Sequence, residues 1–238
     1  MKKVCLLLLL SFFVFTLQSQ VKNEKQKNFN FGLNLGFNAS FPIVNSLTID
    51  GVEAENVNLQ YKVGYLVSAF CRINMNRFFI QPGVSLHHSE GNINYSLPDD
   101  LLLTDLKSAV PYSSERLNIS TYSIEAPVLI GFNLVKEYPY SLSFQAGPKI
   151  KYTYSSEYTP GVNPESFELI NENSPYGVNA MAGVSFSIWR MFFDFYYEYG
   201  ITQTTTDFKN QLSPLPYQST MQLEDRTNKM SFSFGVLF

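Results

Sequence analysis

The chain has 238 residues, 45% hydrophobic, 16% aromatic and only 16% charged, with a net charge of −3. That charged share is low beside the roughly 25% of an ordinary soluble domain, yet 21 Phe and 15 Tyr are too many for a wholly disordered chain. Beyond residue 20 no stretch approaches the roughly 20 consecutive apolar residues of a spanning helix, and a pI near 5.4 excludes a basic nucleic-acid-binding surface.

At the start of the chain, Lys2 and Lys3 precede an apolar stretch from Val4 to Leu10 and from Phe12 to Phe15. Leu17-Gln18-Ser19 ends on a small residue. This is the pattern of a secretory signal peptide, assigned to residues 1–19. Cys5 lies inside the apolar run and is no acylation site. Cleavage would leave Cys71 alone, so no internal disulfide is expected although the chain is exported. Residues 20–28 read as a short N-terminal segment on the periplasmic side, and 29–238 as one domain.

Residues 29–41, FNFGLNLGFNASF, place an apolar side chain at every second position. Period two marks a strand with one apolar face. The same alternation recurs over 61–73, 80–87, 122–133, 140–154, 176–188, 193–201 and 229–238. Leu66 and Phe70 break the second set. Three connections are short, at Asn74–Arg77, Val135–Pro139 and Trp189–Met191. Four are long: 42–60, 89–117, 155–175 and 203–227. An even number of strands with short turns at one end and long loops at the other is the outer-membrane pattern. The predicted fold is therefore all-β, an eight-stranded antiparallel up-and-down transmembrane β-barrel with short periplasmic turns and long extracellular loops.

Which face is apolar separates this from a soluble barrel. The polar face is rich in Gly, Ser and Asn, which suits a narrow lumen. Aromatic residues cluster at the ends of the apolar face: Phe29, Phe78, Tyr140, Trp189 and Phe238 at one rim. Phe41, Tyr61, Tyr122, Tyr152, Tyr176 and Tyr199 stand at the other. Two such girdles fit the two membrane interfaces. Pro82, Pro127 and Pro148 each remove a ladder donor, and the pattern does not say how the sheet absorbs them.

Three segments carry a family resemblance. Tyr122-Ser123-Ile124-Glu125-Ala126-Pro127-Val128-Leu129 resembles the Tyr-x-x-Ile-Pro-x-x-Leu type strand of the PorT-like outer-membrane barrels of Bacteroidota, with Glu-Ala-Pro replacing Glu-Ile-Pro. Ala146-Gly147-Pro148 resembles that family's Gly-Pro strand, and Tyr197 to Ile201 its Tyr-x-Tyr-Gly-Leu strand. Phe238 is similar to the aromatic end of a barrel-assembly signal. The resemblance implies the fold and an outer-membrane location in a Gram-negative bacterium. It also implies a link to secretion, with which PorT is associated.

The candidate site is the lumen. Lys62, Arg72, Glu125, Lys149, Lys151, Asp194, Glu198 and Lys229 fall on the inward face, where isolated charges are costly. They are expected to form a charge-paired plug that fixes register. His87 and His88, the only histidines, face opposite ways on one strand and read as a polar strand end. No catalytic or cofactor constellation and no metal site emerges. The four long loops carry 15 acidic and four basic residues (Lys107, Arg116, Lys209 and Arg226). They include the apolar run of 96–106, which could fold over the mouth or meet a partner. Cys71 is expected to face lipid.

The expected function is a non-enzymatic, monomeric barrel with a structural or interaction role, accessory to secretion or cell-surface assembly. Its expected partners are outer-membrane lipids, the barrel-assembly machinery through the C-terminal strand, and a protein docked on the acidic loops, but no nucleic acid. The alternatives are an outer-membrane lipid-modifying enzyme and a small gated pore.

Overall fold

A computed structural model describes residues 28–49, 52–96, 116–160, 169–173, 175–210 and 220–238. The signal-peptide assignment, most of the 20–28 segment and the apolar run from Leu97 onward lie outside the described residues. The strands in chain order are β1 (Phe29–Ile49), β2 (Val52–Glu53), β3 (Glu55–Tyr61), β4 (Val63–Met75), β5 (Phe78–Ser96), β6 (Arg116–Glu137), β7 (Tyr140–Pro160), β8 (Leu169–Asn173), β9 (Tyr176–Ile188), β10 (Met191–Gly200), β11 (Thr204–Asn210) and β12 (Thr220–Leu237).

Eight of these form a closed antiparallel ring in the order β1-β4-β5-β6-β7-β9-β10-β12, and β12 pairs back onto β1. Closure leaves the ring without a free sheet edge in lipid, which an open sheet could not avoid. The alternation sets which face meets lipid. Leu35 is 62% exposed on β1, Ile130 62% on β6 and Phe232 51% on β12, while their inward neighbours Asn34, Gly131 and Ser233 are buried. Large apolar side chains are exposed on every ring strand. A water-soluble barrel would bury this belt, since contiguous apolar patches of that extent are rare on soluble monomers.

All three short connections are tight two-residue turns: Asn76-Arg77, Tyr138-Pro139 and Trp189-Arg190. They close on the pairs Met75 with Phe78, Glu137 with Tyr140 and Ile188 with Met191. Asn76 has φ 56° and Trp189 φ 58°. Positive φ matches the twist of a tight hairpin. Asn tolerates it, whereas it strains a bulky residue such as Trp.

The four long connections differ from expectation. Much of their length is strand: β1 runs on to Ile49, β5 to Ser96, β6 starts at Arg116, β7 ends at Pro160 and β12 starts at Thr220. β3 extends the path of β4 along β5, and β11 extends β10 along β12. β8 continues β9 and pairs with β11, while the short β2 folds back on β1. β6 has 22 residues, about twice the 9–11 a tilted strand needs to cross a bilayer. The wall therefore rises well past the lipid. There both faces of a strand can be polar, as in Ser89-Glu90-Gly91-Asn92, so ladder pairing continues where hydrophobic alternation has ended.

The prolines lie side by side. β4–β5 pairing skips from Phe70 with Gly83 to Ile73 with Ile80. β5–β6 pairing skips from Pro82 with Val128 to Ser85 with Glu125. β6–β7 pairing skips from Pro127 with Lys149 to Ile130 with Ala146. Pro82, Pro127 and Pro148 thus share one zone of interrupted pairing on three adjacent strands. Gly147 lies in the last of these gaps, and a Cβ there would stand 2.1 Å from the Val128 carbonyl oxygen. The backbones approach closely where the ladder is broken.

Candidate functional site: the filled lumen

β10 serves as a ruler from the turn end outward, because its inward residues are Phe192, Asp194, Tyr196 and Glu198. At the level of Phe192 the lumen is closed by rings. Phe70 and Phe192 meet edge-on with centroids 5.4 Å apart. The guanidinium of Arg72 lies 4.4 Å from the Phe79 ring centre and 5.6 Å from that of Phe70. Each of these rings sits over a glycine directly opposite on the next strand: Phe70 over Gly32, Phe79 over Gly131 and Phe192 over Gly235. A Cβ at those glycines would fall 2.2, 2.0 and 2.3 Å from the ring tips. Tyr196 uses Gly183 in the same way, at 2.4 Å. The inward face, expected to be rich in Gly, Ser and Asn, also carries large apolar side chains here. Leu66 and Phe70, which break the alternation of their strand, point inward and are buried.

Next to the rings is a polar layer. Arg72 Nε donates to Gln81 Oε1 at 2.8 Å, and the buried Asp194 borders the same cavity as Gln81. Tyr196 donates its hydroxyl to Gln145 Oε1 at 3.0 Å and packs with Leu129 and Met181.

At the level of Glu198 five strands meet in one ion cluster. The ammonium of Lys149, from β7, bridges Glu125 of β6 and Glu198 of β10. Lys229 of β12 donates to Glu125 Oε1 at 2.7 Å. His87 Nε2 of β5 lies 3.3 Å from Glu125 Oε2 and 3.0 Å from Ser85 Oγ. Ser123 adds a hydroxyl donor to Glu125 Oε1 at 3.0 Å. Glu125, Lys149, Glu198 and Lys229 are each at most 2% exposed. The desolvation of this buried carboxylate is offset by hydrogen bonds to Oε1 and by the ion pairs that Lys149 and His87 make with Oε2.

The eight inward charges therefore form several groups. Glu125, Lys149, Glu198 and Lys229 belong to the ion cluster, with His87, which the sequence pattern left outside it. Arg72 and Asp194 form the layer below. Lys62 lies at the mouth and pairs with Glu90 at 3.8 Å, both about two-fifths exposed. Lys151 makes no ion pair within 4 Å among the described residues. Membership of His87 was legible only from its parity with Gln81 and Ser85. His88 faces the other way, stacked on Tyr122 at 4.4 Å and tilted against Tyr65 at 4.8 Å, with Nε2 3.0 Å from Glu90 Oε1. Cys71 is half-buried in the same alternating set as Val67 and Ala69. Among the described residues no group of three His, Cys, Asp or Glu side chains could hold a metal. Phe238 donates its backbone N–H to the Phe31 carbonyl at 2.7 Å, at the seam that closes the ring.

Two cavities flank the ion cluster. One lies between it and the ring layer, bordered by Phe70, Asp194, Tyr196 and Lys149. The other lies at the mouth, bordered by Lys151, Asp225, Thr153 and Lys229.

A closed ring of eight antiparallel strands, apolar outside and packed with paired charges inside, defines an integral outer-membrane β-barrel. The chain belongs to the outer membrane protein beta-barrel domain family, whose model matches residues 18–206. It accordingly resides in the outer membrane. No curated protein matches it in sequence. The fold is similar to that of OprG from Pseudomonas aeruginosa, with 10% identity, a TM-score of 0.60, and coverage of 90% of this chain and 97% of that one. A major outer membrane protein from Thermus thermophilus is similar at 10% identity and a TM-score of 0.50, over 89% of this chain and all of that one.

Proposed function

We propose that this barrel is a non-enzymatic surface scaffold whose outer rim binds a protein partner, accessory to secretion or cell-surface assembly, as the PorT-like resemblance suggests. The filled lumen is the observation that supports this most. Two closures in series, the ring layer and the ion cluster, leave the wall and rim to do the work. The wall extends past the lipid as ordered strand, a rigid mount for the acidic connections, and rigid elements hold a binding surface better than free loops do. A basic partner suits the excess of 15 acidic over four basic residues in those connections. Insertion would proceed through the barrel-assembly machinery, with Phe238 at the end of the closing strand as the assembly signal.

The test is affinity capture from cross-linked cells with the full chain and with a variant lacking 97–115 and 161–168. Capture of a partner by the full chain and its loss from the trimmed barrel is the expected result. An unchanged set of partners would overturn loop docking. A small gated pore is the second reading. It is favoured by one observation, the two cavities in line on either side of the ion cluster.

A further inference from the structure

The mouth cavity has an unusual charge balance. Four charged residues border it: Glu90, Lys151, Asp225 and Lys229. Two of them are already engaged. Lys229 bonds to Glu125, and Glu90 is held by Lys62 and His88. Lys151 makes no hydrogen bond or ion pair among the described residues. The carboxylate of Asp225 accepts one short-range bond, from Thr227 Oγ1 to Oδ2 at 3.1 Å. Asp225 stands beyond the outer aromatic girdle, and burial pushes its carboxyl up from the ordinary carboxylate range.

Lys151 is on β7 and Asp225 on β12, with β9 and β10 between them in the ring. Both border the mouth cavity. Each feels the other's charge, yet they do not approach within the 4 Å of an ion pair. Ser40, Thr153 and Thr204 border the same cavity. Opposite Lys151 on β9 is Gly177, where a Cβ would meet nothing closer than the Lys151 Cβ at 3.9 Å. The site is a separated ammonium and carboxylate in a cavity that hydroxyl-bearing residues also border. A lone anion would gain Lys151 and be repelled by Asp225, and a lone cation would meet the reverse. A neutral solute would leave both charges partly desolvated without a partner, which is unfavourable. Only a molecule carrying both signs satisfies both walls.

We propose that the mouth cavity binds a small zwitterionic solute of the amino-acid class, its carboxylate held by Lys151 and its ammonium by Asp225. Glu90 and Asp225 belong to the acidic connections, but removing 97–115 and 161–168 leaves every residue of the cavity in place, so solute binding and partner docking are tested apart.

The test is calorimetric titration of the full chain, folded in an uncharged detergent, with L-serine as the probe. Acetate and ethanolamine, each carrying one half of its charge pattern, are the comparison. Serine is expected to bind at least about tenfold more tightly than either, since each half makes one charge-assisted contact. Lys151→Gln and Asp225→Asn should each weaken serine by about tenfold or more, and Lys151→Arg should retain it. Far-UV circular dichroism would show that the variants keep the barrel. Absence of serine binding, equal binding of acetate or ethanolamine, or indifference to both charge-removing substitutions would overturn the proposal.

Discussion

A glycine opposite an inward aromatic ring is the smallest unit on which this lumen is built. The tip of the Phe79 ring fills the space that a side chain at Gly131 would need. Gly131→Ala puts a methyl group into the ring tip, and overpacking of this kind costs about 1–3 kcal/mol. The urea midpoint of the folded chain in detergent should fall accordingly, and Phe79→Leu added to Gly131→Ala should recover part of the loss. Glu125→Gln acts by the opposite route, removing a charge instead of adding volume. It would leave Lys149, Lys229 and His87 facing an amide, and breaking a buried pair from one side costs on the order of 3–5 kcal/mol. A matched loss in urea stability checks it, and Glu125→Asp should lose less. The sequence showed which residues face inward, because parity is a local property. It did not show which charges touch, since the cluster joins five strands across up to 104 residues and depends on shear. Nor did it show that Phe70, Phe79 and Phe192 fill the lumen, because the fit depends on glycines from other strands.

Strands and turns were legible to different degrees. Inside the membrane, water is absent from one face and lipid from the other, so the alternation is strong and all eight ring strands were found from it. Above the membrane both faces are wet. There the ladder holds without an apolar signature, and the outer halves of β1, β5, β6, β7 and β12 read as loop. The turns were located to within a few residues, but their two-residue form depends on φ at Asn76 and Trp189. Asn76→Ala forces a residue with a Cβ and no local side-chain bonding into left-handed backbone, at a cost of about 1 kcal/mol. Asn76→Gly should be neutral or slightly stabilising. The two variants are best compared by refolding yield and urea midpoint side by side. Asn76→Ala as stable as Asn76→Gly would remove the argument.

For the molecule as a whole, the filled lumen is the feature with a direct electrical readout. Rings at one level and bridged charges at the next give ions no continuous wet path. Planar-bilayer recordings of the full chain are expected to show no steady conductance. Steady channels from the unaltered chain would favour the pore reading and count against the sealed scaffold. Glu125→Gln provides an internal control. It loosens the ion cluster and leaves the Phe70–Phe192 contact in place, so it too should stay closed.

The seam between β1 and β12 has a consequence for the order of events in the life of the chain. Leu33 pairs with Val236 and Phe37 with Phe232, partners about as distant in sequence as the chain allows. Closing so long a loop carries an entropic cost that must be met before the seam forms, which slows folding. Until the final residues are made and delivered, the outer edge of β1 is a row of unanswered N–H and C=O groups beside Phe29, Phe31 and Leu33. That edge is a template for any passing strand. The barrel cannot grow strand by strand into a stable partial product, because its first strand is finished only by its last. The chain must cross water as an unclosed polymer and commit to its shape in one late step at the membrane. A truncation of even β12 alone would leave two sticky edges instead of a smaller barrel.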